Sequence, residues 1–267
     1  ACEISGYGAG GPRSADKAYD LAVQAEAGAF SVTGDATMSK VGFSVADISA
    51  GMYAMSGVLA ALVRRERTGE GAAISVSMLD SLVEWMSAPL YAAVHGKGQA
   101  PRTSRRHHAI APYGTFALAS GKVILIAIQN DREWQRMAEI VLANVALATD
   151  ERFATSAARI ANVEETEAVV SEGFRSISDE DALTRLAEAG IATARVNDLA
   201  DVWQHEQLRA RGRFVEVDTP GGPLELLAVP FGISEWSPGR GRIPALGEHD
   251  PAVVEGIIGR RKSNDDV

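Results

Sequence analysis

The chain has 267 residues, 46% hydrophobic and 23% charged, an ordinary globular composition with room for a large core and more than one subdomain. With 26 Lys and Arg against 35 Asp and Glu, its formal net charge is −9, which argues against general nucleic-acid binding and against an anionic membrane surface, while leaving room for a local basic pocket. The single cysteine, Cys2, excludes an internal disulfide and points to a reducing, cytoplasmic setting; no signal peptide is visible in "ACEISGYG", and the apolar runs read as too short and too rich in Gly and Ala for a membrane span.

The first segment, "ACEIS", reads as a buried strand cut at its front, and the chain as a fragment of a longer protein. A Gly-rich loop follows. Gly6, Gly8 and Gly11 match the spacing G-x-G-x-x-G, but a dinucleotide fingerprint needs a helix opening inside the glycines, and here Pro12, Arg13 and Ser14 follow. "YDLAVQAEAG" predicts a helix over 19–28, stopped by Gly28. The next helix is expected over 45–67. Its large residues Ile48, Met52, Met55, Leu59 and Leu62 recur at helical spacing and should face the core. A second row, Asp47, Ala50, Ala54, Gly57 and Ala61, is small apart from its first member, and lets a backbone or a flat ligand come close. "AAISVSM" reads as a strand running into another helix.

The basic stretch "HGKGQAPRTSRRHHAIAPYGTF" has no period and marks a boundary. Beyond it come a strand in "GKVILIAIQN" and helices in "REWQRMAEIVL", "VEETEAVVSEGFRSI" and "DEDALTRLAEAG". From 192 onward a strand, a short helix and a hairpin through Gly221 and Gly222 are expected, and the tail "RRKSNDDV" reads as disordered. The organisation predicted is therefore 1–95, 96–191 and 192–267. No H-E-x-x-H, Cys pair, Walker A loop or G-x-S-x-G elbow occurs.

Asp47 is the one acid at the front of an apolar segment that stays uncharged until Arg64. Ser44-Val-Ala-Asp47 fits a capping-box variant. The same position, beside the positive helix end and its free N–H groups, also suits a carboxylate nucleophile, with those amides available to an oxyanion. Composition does not separate the two.

Taken together, "SGYGAGGP", "AYDLAVQAEAG", "KVGFSVADISAG", "IAPYGTF", "IQNDREW" and "LGEHD", in this order and over nearly the whole chain, resemble the family III CoA-transferases, which include the 2-methylacyl-CoA racemases. The branch it resembles most acts on short dicarboxylic or branched acids, as succinyl-, mesaconyl- and citramalyl-CoA transferases do. The resemblance implies an α/β fold, with a Rossmann-like large domain (incomplete here, because the family carries a further stretch before "SGYG") and a smaller α+β domain. It implies Asp47 as the catalytic aspartate, and Lys17, Ala18 and Tyr19 in "DKAYD" as coenzyme A contacts; read alone, Lys17 is a solvated lysine and Tyr19 a packed tyrosine. Partners would be an acyl-CoA and a carboxylic acid, with no nucleic acid and no membrane. CoA would be a substrate, with no metal or redox cofactor, and the assembly an interlocked homodimer.

The Gly-rich loop that follows "PYGTF" in the formyl-CoA branch is absent. The racemase branch carries a His where Tyr19 stands here, and a proton-moving enzyme needs a base poised near neutral pH, so transfer is favoured over racemisation. A non-catalytic CoA-binding fragment is the other alternative. Finally, Arg102, Arg105, Arg106, His107 and His108 read either as a solvated linker or as a cationic lip over the Asp47 cleft. Such a lip would grip the distal carboxylate of a dicarboxylic substrate.

Overall fold

The computed structural model describes residues 1–96, 98–234, 241–249, 251 and 255; the tail expected to be disordered lies outside them. The chain is a mixed α/β protein that divides into two compact units, Ala1–Val196 and Asn197–Val267.

The first part of unit 1 is a βαβ arrangement. Strand β1 (Cys2–Ser5) leads through α1 (Asp20–Glu26), α2 (Ala29–Val32) and α3 (Val45–Thr68) to β2 (Ile74–Ser77). β2 pairs with β1 in parallel, Cys2 against Ile74 through Ser5 against Ser77. α4 (Met78–Trp85) and α5 (Ser87–His95) follow. β1 pairs on one side only and its residues are largely exposed, so the buried strand read from "ACEIS" is an exposed one in this chain.

Helix α3 overturns a sequence expectation. Ile48, Met52, Met55, Leu59 and Leu62, predicted to face the core, are all exposed, whereas Ala50 and Ala54 of the small row are buried. The small row faces β2: Ala50 and Ala54 cluster with Val76, and a Cβ on Gly57 would stand 3.1 Å from Ile74 Cγ2. Small side chains let the strand approach, and periodicity names an apolar face without naming which face has a neighbour. Length and composition also make α3 apolar enough to cross a membrane, with a mean hydropathy of 1.5 over its best window. This corrects the reading that no segment is long enough, which counted Gly and Ala as interruptions. Core helices of soluble proteins pass the same test.

A second core lies further along unit 1. β3 (Tyr113–Ala117) and β4 (Val123–Ala127) pair antiparallel. Helix α6 (Asp131–Arg136), a π turn (Met137–Val141), α7 (Ala146–Thr149), α8 (Ser156–Ala161), α9 (Val163–Arg175) and α10 (Asp179–Glu188) follow. β5 (Ala192–Arg195), assigned from the sequence to the last segment, is the outer strand of this sheet and pairs antiparallel with β4. Phe116, Ile124, Ile126, Trp134, Phe153, Phe174 and Leu186 form the centre of this α+β core.

The "IQNDREW" stretch is structural in this core. The Asn130 side chain caps α6 by accepting the Glu133 N–H at 3.0 Å. Trp134 is fully buried and its Nε1 donates to the Leu147 carbonyl at 3.0 Å. Arg159, also fully buried, donates to the carbonyls of Ala111 and Phe153 at 3.0 and 2.8 Å and to Asp131 at 2.9 Å.

Unit 2 contains α11 (Leu199–Trp203), α12 (Glu206–Ala210) and the antiparallel hairpin β6 (Phe214–Val217) and β7 (Leu224–Leu227), joined through the expected Gly221 and Gly222. Within it Arg209 lies over the Phe214 ring and pairs with Glu225 at 2.7 Å.

Candidate active site

Two segments remote in sequence meet at the N-terminus of α3. One is "DKAYD", ahead of and opening α1; the other is "ADISAG", the first turns of α3. Asp20 Oδ1 accepts the Ala46 N–H at 2.8 Å, which ties the end of "DKAYD" to the residue before Asp47. Ala18 is half-buried and packs on the cluster of Val23, Val45, Ala46 and Leu82, whereas Lys17 and Tyr19 are exposed.

The loop before them is shaped to fit. A Cβ on Gly6 would lie 2.1 Å from Ala18 Cβ, so only glycine lets "SGYG" pass that close. Gly8 sits at φ +80°, a left-handed conformation that glycine adopts without strain. A turn follows these glycines and the next helix opens only at Asp20, so the loop lacks the helix a dinucleotide fingerprint requires.

Asp47 occupies the first turn of α3 and is exposed. Ser44, at the N-cap, makes no side-chain capping bond, and Asp47 makes none either, so the local capping box is not formed. Among the described residues the first-turn amides are otherwise taken. Val45 N–H goes to the Phe43 carbonyl at 2.8 Å, Ile48 N–H to the Ser44 carbonyl at 3.0 Å, and Ala46 N–H to Asp20. The Asp47 N–H alone has no partner in that turn, so a carboxylate and one open amide stand together at the positive end of a 24-residue helix.

Behind Asp20 stands a residue that the sequence reading missed. Gln24 is fully buried; its Nε2 donates to Asp20 Oδ2 at 2.8 Å and to the Phe43 carbonyl at 3.3 Å, and its Oε1 accepts the Val41 N–H at 2.9 Å. The available signal was a lone Gln on the apolar face of α1.

The basic stretch forms a separate group. It is held as an edge along β3: Thr115 N–H donates to the Arg105 carbonyl at 2.9 Å and His107 N–H to the Tyr113 carbonyl at 2.7 Å. A Cβ on Gly114 would lie 2.5 Å from the Arg105 carbonyl oxygen, so glycine is required there as well. Arg106 pairs with Glu167 at 3.4 Å, and Arg102 donates to the Asp35 carbonyl at 3.0 Å. Arg105 is exposed with no ion-pair partner among the described residues. A cavity of about 300 Å³ lies here, walled by the three arginines together with Asp35, Glu167 and Ser171. Asp47, Lys17 and Tyr19 do not line it.

His107 stacks on Tyr113 and His108, with ring centroids 5.2 and 4.7 Å apart, and its Nδ1 accepts the Ala109 N–H at 3.1 Å. Burial first, and the neighbouring His108 second, pull its pKa below the ordinary histidine value. Both causes disfavour the protonated ring relative to a free histidine. Among the described residues no three His, Cys, Asp or Glu side chains converge as a metal site.

Comparison with known proteins places this geometry in a family. The chain is 33% identical over 266 residues to a succinate–glutarate CoA-transferase of Agrobacterium fabrum, covering 95% of the chain and 64% of that protein. It is 31% identical to a succinyl-CoA:mesaconate CoA-transferase of Haloarcula marismortui, covering 95% of the chain and 65% of the relative. The chain thus spans a little under two thirds of the length of these relatives. Its fold matches a solved CAIB/BAIF family protein of Brucella suis with a TM-score of 0.81 at 31% identity, over 96% of this chain and 67% of that one. A hypothetical protein of Mycobacterium tuberculosis shares the fold with a TM-score of 0.79 at 22% identity. The family description "CoA-transferase family III" matches residues 1–250, and the chain belongs to that family.

Proposed function

We propose that the protein carrying this chain transfers coenzyme A from an acyl-CoA donor such as succinyl-CoA to a short dicarboxylic acid, with Asp47 as the nucleophile. The observation that carries this reading is the state of Asp47: an exposed first-turn carboxylate with no hydrogen-bond partner among the described residues, next to the one first-turn amide left open.

In the proposed reaction an Asp47 carboxylate oxygen attacks the thioester carbonyl of the donor, the C–S bond breaks, and CoA leaves as thiolate. The Asp47 N–H, open in the free chain, can hold the oxyanion that forms. The thiolate then attacks the Asp47 carbonyl carbon of the mixed anhydride and expels the donor carboxylate, leaving an aspartyl-CoA thioester. The acceptor carboxylate attacks that thioester and displaces the thiolate, which attacks the acceptor acyl carbon, releasing the new acyl-CoA and the Asp47 carboxylate. Splitting one exchange into four acyl transfers lowers each barrier, and the sequence draws on no metal or redox cofactor. By the family resemblance Lys17 would pair with a CoA phosphate and Tyr19 would contact the coenzyme A.

An anhydride demands a dry site, whereas Asp47 is exposed in this chain; the interlocked homodimer is proposed as the source of that cover. Dicarboxylic acceptors are supported by the relatives named for succinate, glutarate and mesaconate.

The test is transfer from succinyl-CoA to glutarate, mesaconate and butyrate, with products separated by mass. The proposal expects transfer to the dicarboxylates, and none with Asp47→Ala. Unchanged turnover in that variant would refute it.

A further inference from the structure

We infer that the cavity beside β3 is a carboxylate-binding site centred on Arg105, and that its occupant is one carboxylate group of a short organic acid. The site is built without Asp47, so it stands or falls apart from the nucleophile reading.

Three parts of the chain wall this cavity of about 300 Å³: the loop at Asp35, the basic stretch from Arg102 to Arg106, and the layer of β3 and α9 that carries Thr115, Glu167 and Ser171. Their polar groups are unequally spent. Arg102 donates to the carbonyls of Asp35 and Ala36 at 3.0 and 3.5 Å. Both carboxylate oxygens of Asp35 are engaged, Oδ1 by the Thr37 N–H at 3.3 Å and Oδ2 by the Ser104 hydroxyl at 3.4 Å. Arg105 and the hydroxyls of Thr115 and Ser171 have no side-chain partner among the described residues. Three guanidiniums against two carboxylates leave one positive charge here, in a chain of net −9. One carboxylate matches that surplus, whereas a phosphate dianion would add a second charge facing Asp35 and Glu167. A guanidinium fork takes both oxygens of a carboxylate, and the two hydroxyls can donate to the same group. The Arg105 backbone is already fixed, because its carbonyl accepts the Thr115 N–H at 2.9 Å, so an arriving acid does not have to order it. Glu167 acts as an internal competitor. It meets Arg106 through one contact of 3.4 Å, long for a charge-assisted bond, and so offsets that cation without closing the cavity.

Equilibrium dialysis of labelled glutarate against the natural full-length protein tests this, with inorganic phosphate as competitor. Arg105→Gln, a change at an exposed side chain, should weaken glutarate binding at least about tenfold. Glu167→Gln frees Arg106 and should tighten binding about threefold or more, a gain that a merely damaged fold would not give. Asp47→Ala should leave the dissociation constant within about twofold of wild type. Phosphate should displace glutarate only at higher concentration than unlabelled glutarate does. Glutarate bound equally by wild type and Arg105→Gln, no gain in Glu167→Gln, loss of binding in Asp47→Ala, or phosphate as the stronger competitor would each overturn the site. The transfer assay tells which acid fills it. A KM for glutarate that rises in Arg105→Gln in step with the dissociation constant identifies the bound acid as the acceptor. A KM that stays unchanged while dialysis binding weakens identifies a second acid molecule; both results keep the site. Turnover retained in Asp47→Ala overturns the nucleophile reading and leaves this inference to the dialysis result alone.

Discussion

The Asp20 carboxylate accepts the Ala46 N–H at 2.8 Å across a separation of 26 residues. The helix that carries Asp47 is therefore capped by a neighbouring helix and not by its own Ser44. The same contact joins the two stretches that resemble the family's CoA-contacting and catalytic segments, and Gln24 locks it from below.

Gly6 should tolerate no side chain. A methyl group there would stand 2.1 Å from Ala18 Cβ, so Gly6→Ala must push the Ala18 to Asp20 stretch away or shift the loop. We expect a loss of about 1–3 kcal/mol in stability, as for overpacked sites, together with a raised KM for CoA esters. Thermal melts and acyl-CoA titrations check both; a variant with wild-type melting temperature and KM would contradict the contact.

Arg159 should be the most sensitive residue of the second core. It is fully buried, and removing its guanidinium leaves two buried carbonyls without donors and Asp131 without its partner. Burial pulls the arginine pKa down while Asp131 pulls it up. Breaking a buried pair costs about 3–5 kcal/mol, and the half-exposed Asp131 puts Arg159→Met toward the lower end. Denaturant unfolding reads the difference; a loss below about 1 kcal/mol would show that the two carbonyls find other donors.

How far the sequence disclosed this arrangement differs from part to part. Residue types that act within their own turn were legible: the hairpin at Gly221 and Gly222, the strand in "GKVILIAIQN", and the helices that end the second core. The α3 helix was legible as a helix, but its buried face was not. Both stripes are apolar, and only β2, reached after a turn at Gly69, decides that the small one packs. Asp47 was visible as a lone acid, yet its two readings stayed open. The capping group sits 26 residues upstream, and no local window contains both. The basic stretch read as a linker or a lip, and its backbone is in fact an edge along β3, held by Arg105 and His107.

His107 should make stability fall on acidification. Its pKa lies below the ordinary value of 6.5, so the unfolded chain binds a proton more readily than the folded one. Its contribution is thus fully present above about pH 6.5 and is lost as the pH drops through the histidine range. His107→Phe keeps a ring between Tyr113 and His108 and removes the titration, so the stability difference between neutral and mildly acidic buffer should shrink. An unchanged pH profile in the variant would show that the ring protonates freely in the fold.

Arg105 should govern the choice of acid. It is the exposed arginine of the cavity, while Arg106 is offset by Glu167 and Arg102 is spent on backbone carbonyls. Arg105→Gln should erode the preference for succinate over butyrate by on the order of 1–3 kcal/mol, the range of a charge-assisted contact, with little change in turnover of butyrate. Equal loss with both acids would remove the cavity from substrate selection.

The covalent state of Asp47 during turnover tests the account most directly. Full-length protein mixed with succinyl-CoA without acceptor, quenched and digested, should yield the peptide containing Asp47 carrying CoA as a thioester. Hydroxylamine should convert that adduct to the hydroxamate, and borohydride should reduce the same side chain. Adduct on Asp47, lost on addition of a dicarboxylate acceptor, is the predicted result. CoA transfer that proceeds at the wild-type rate with Asp47 never modified, or with the label on another residue, would contradict it.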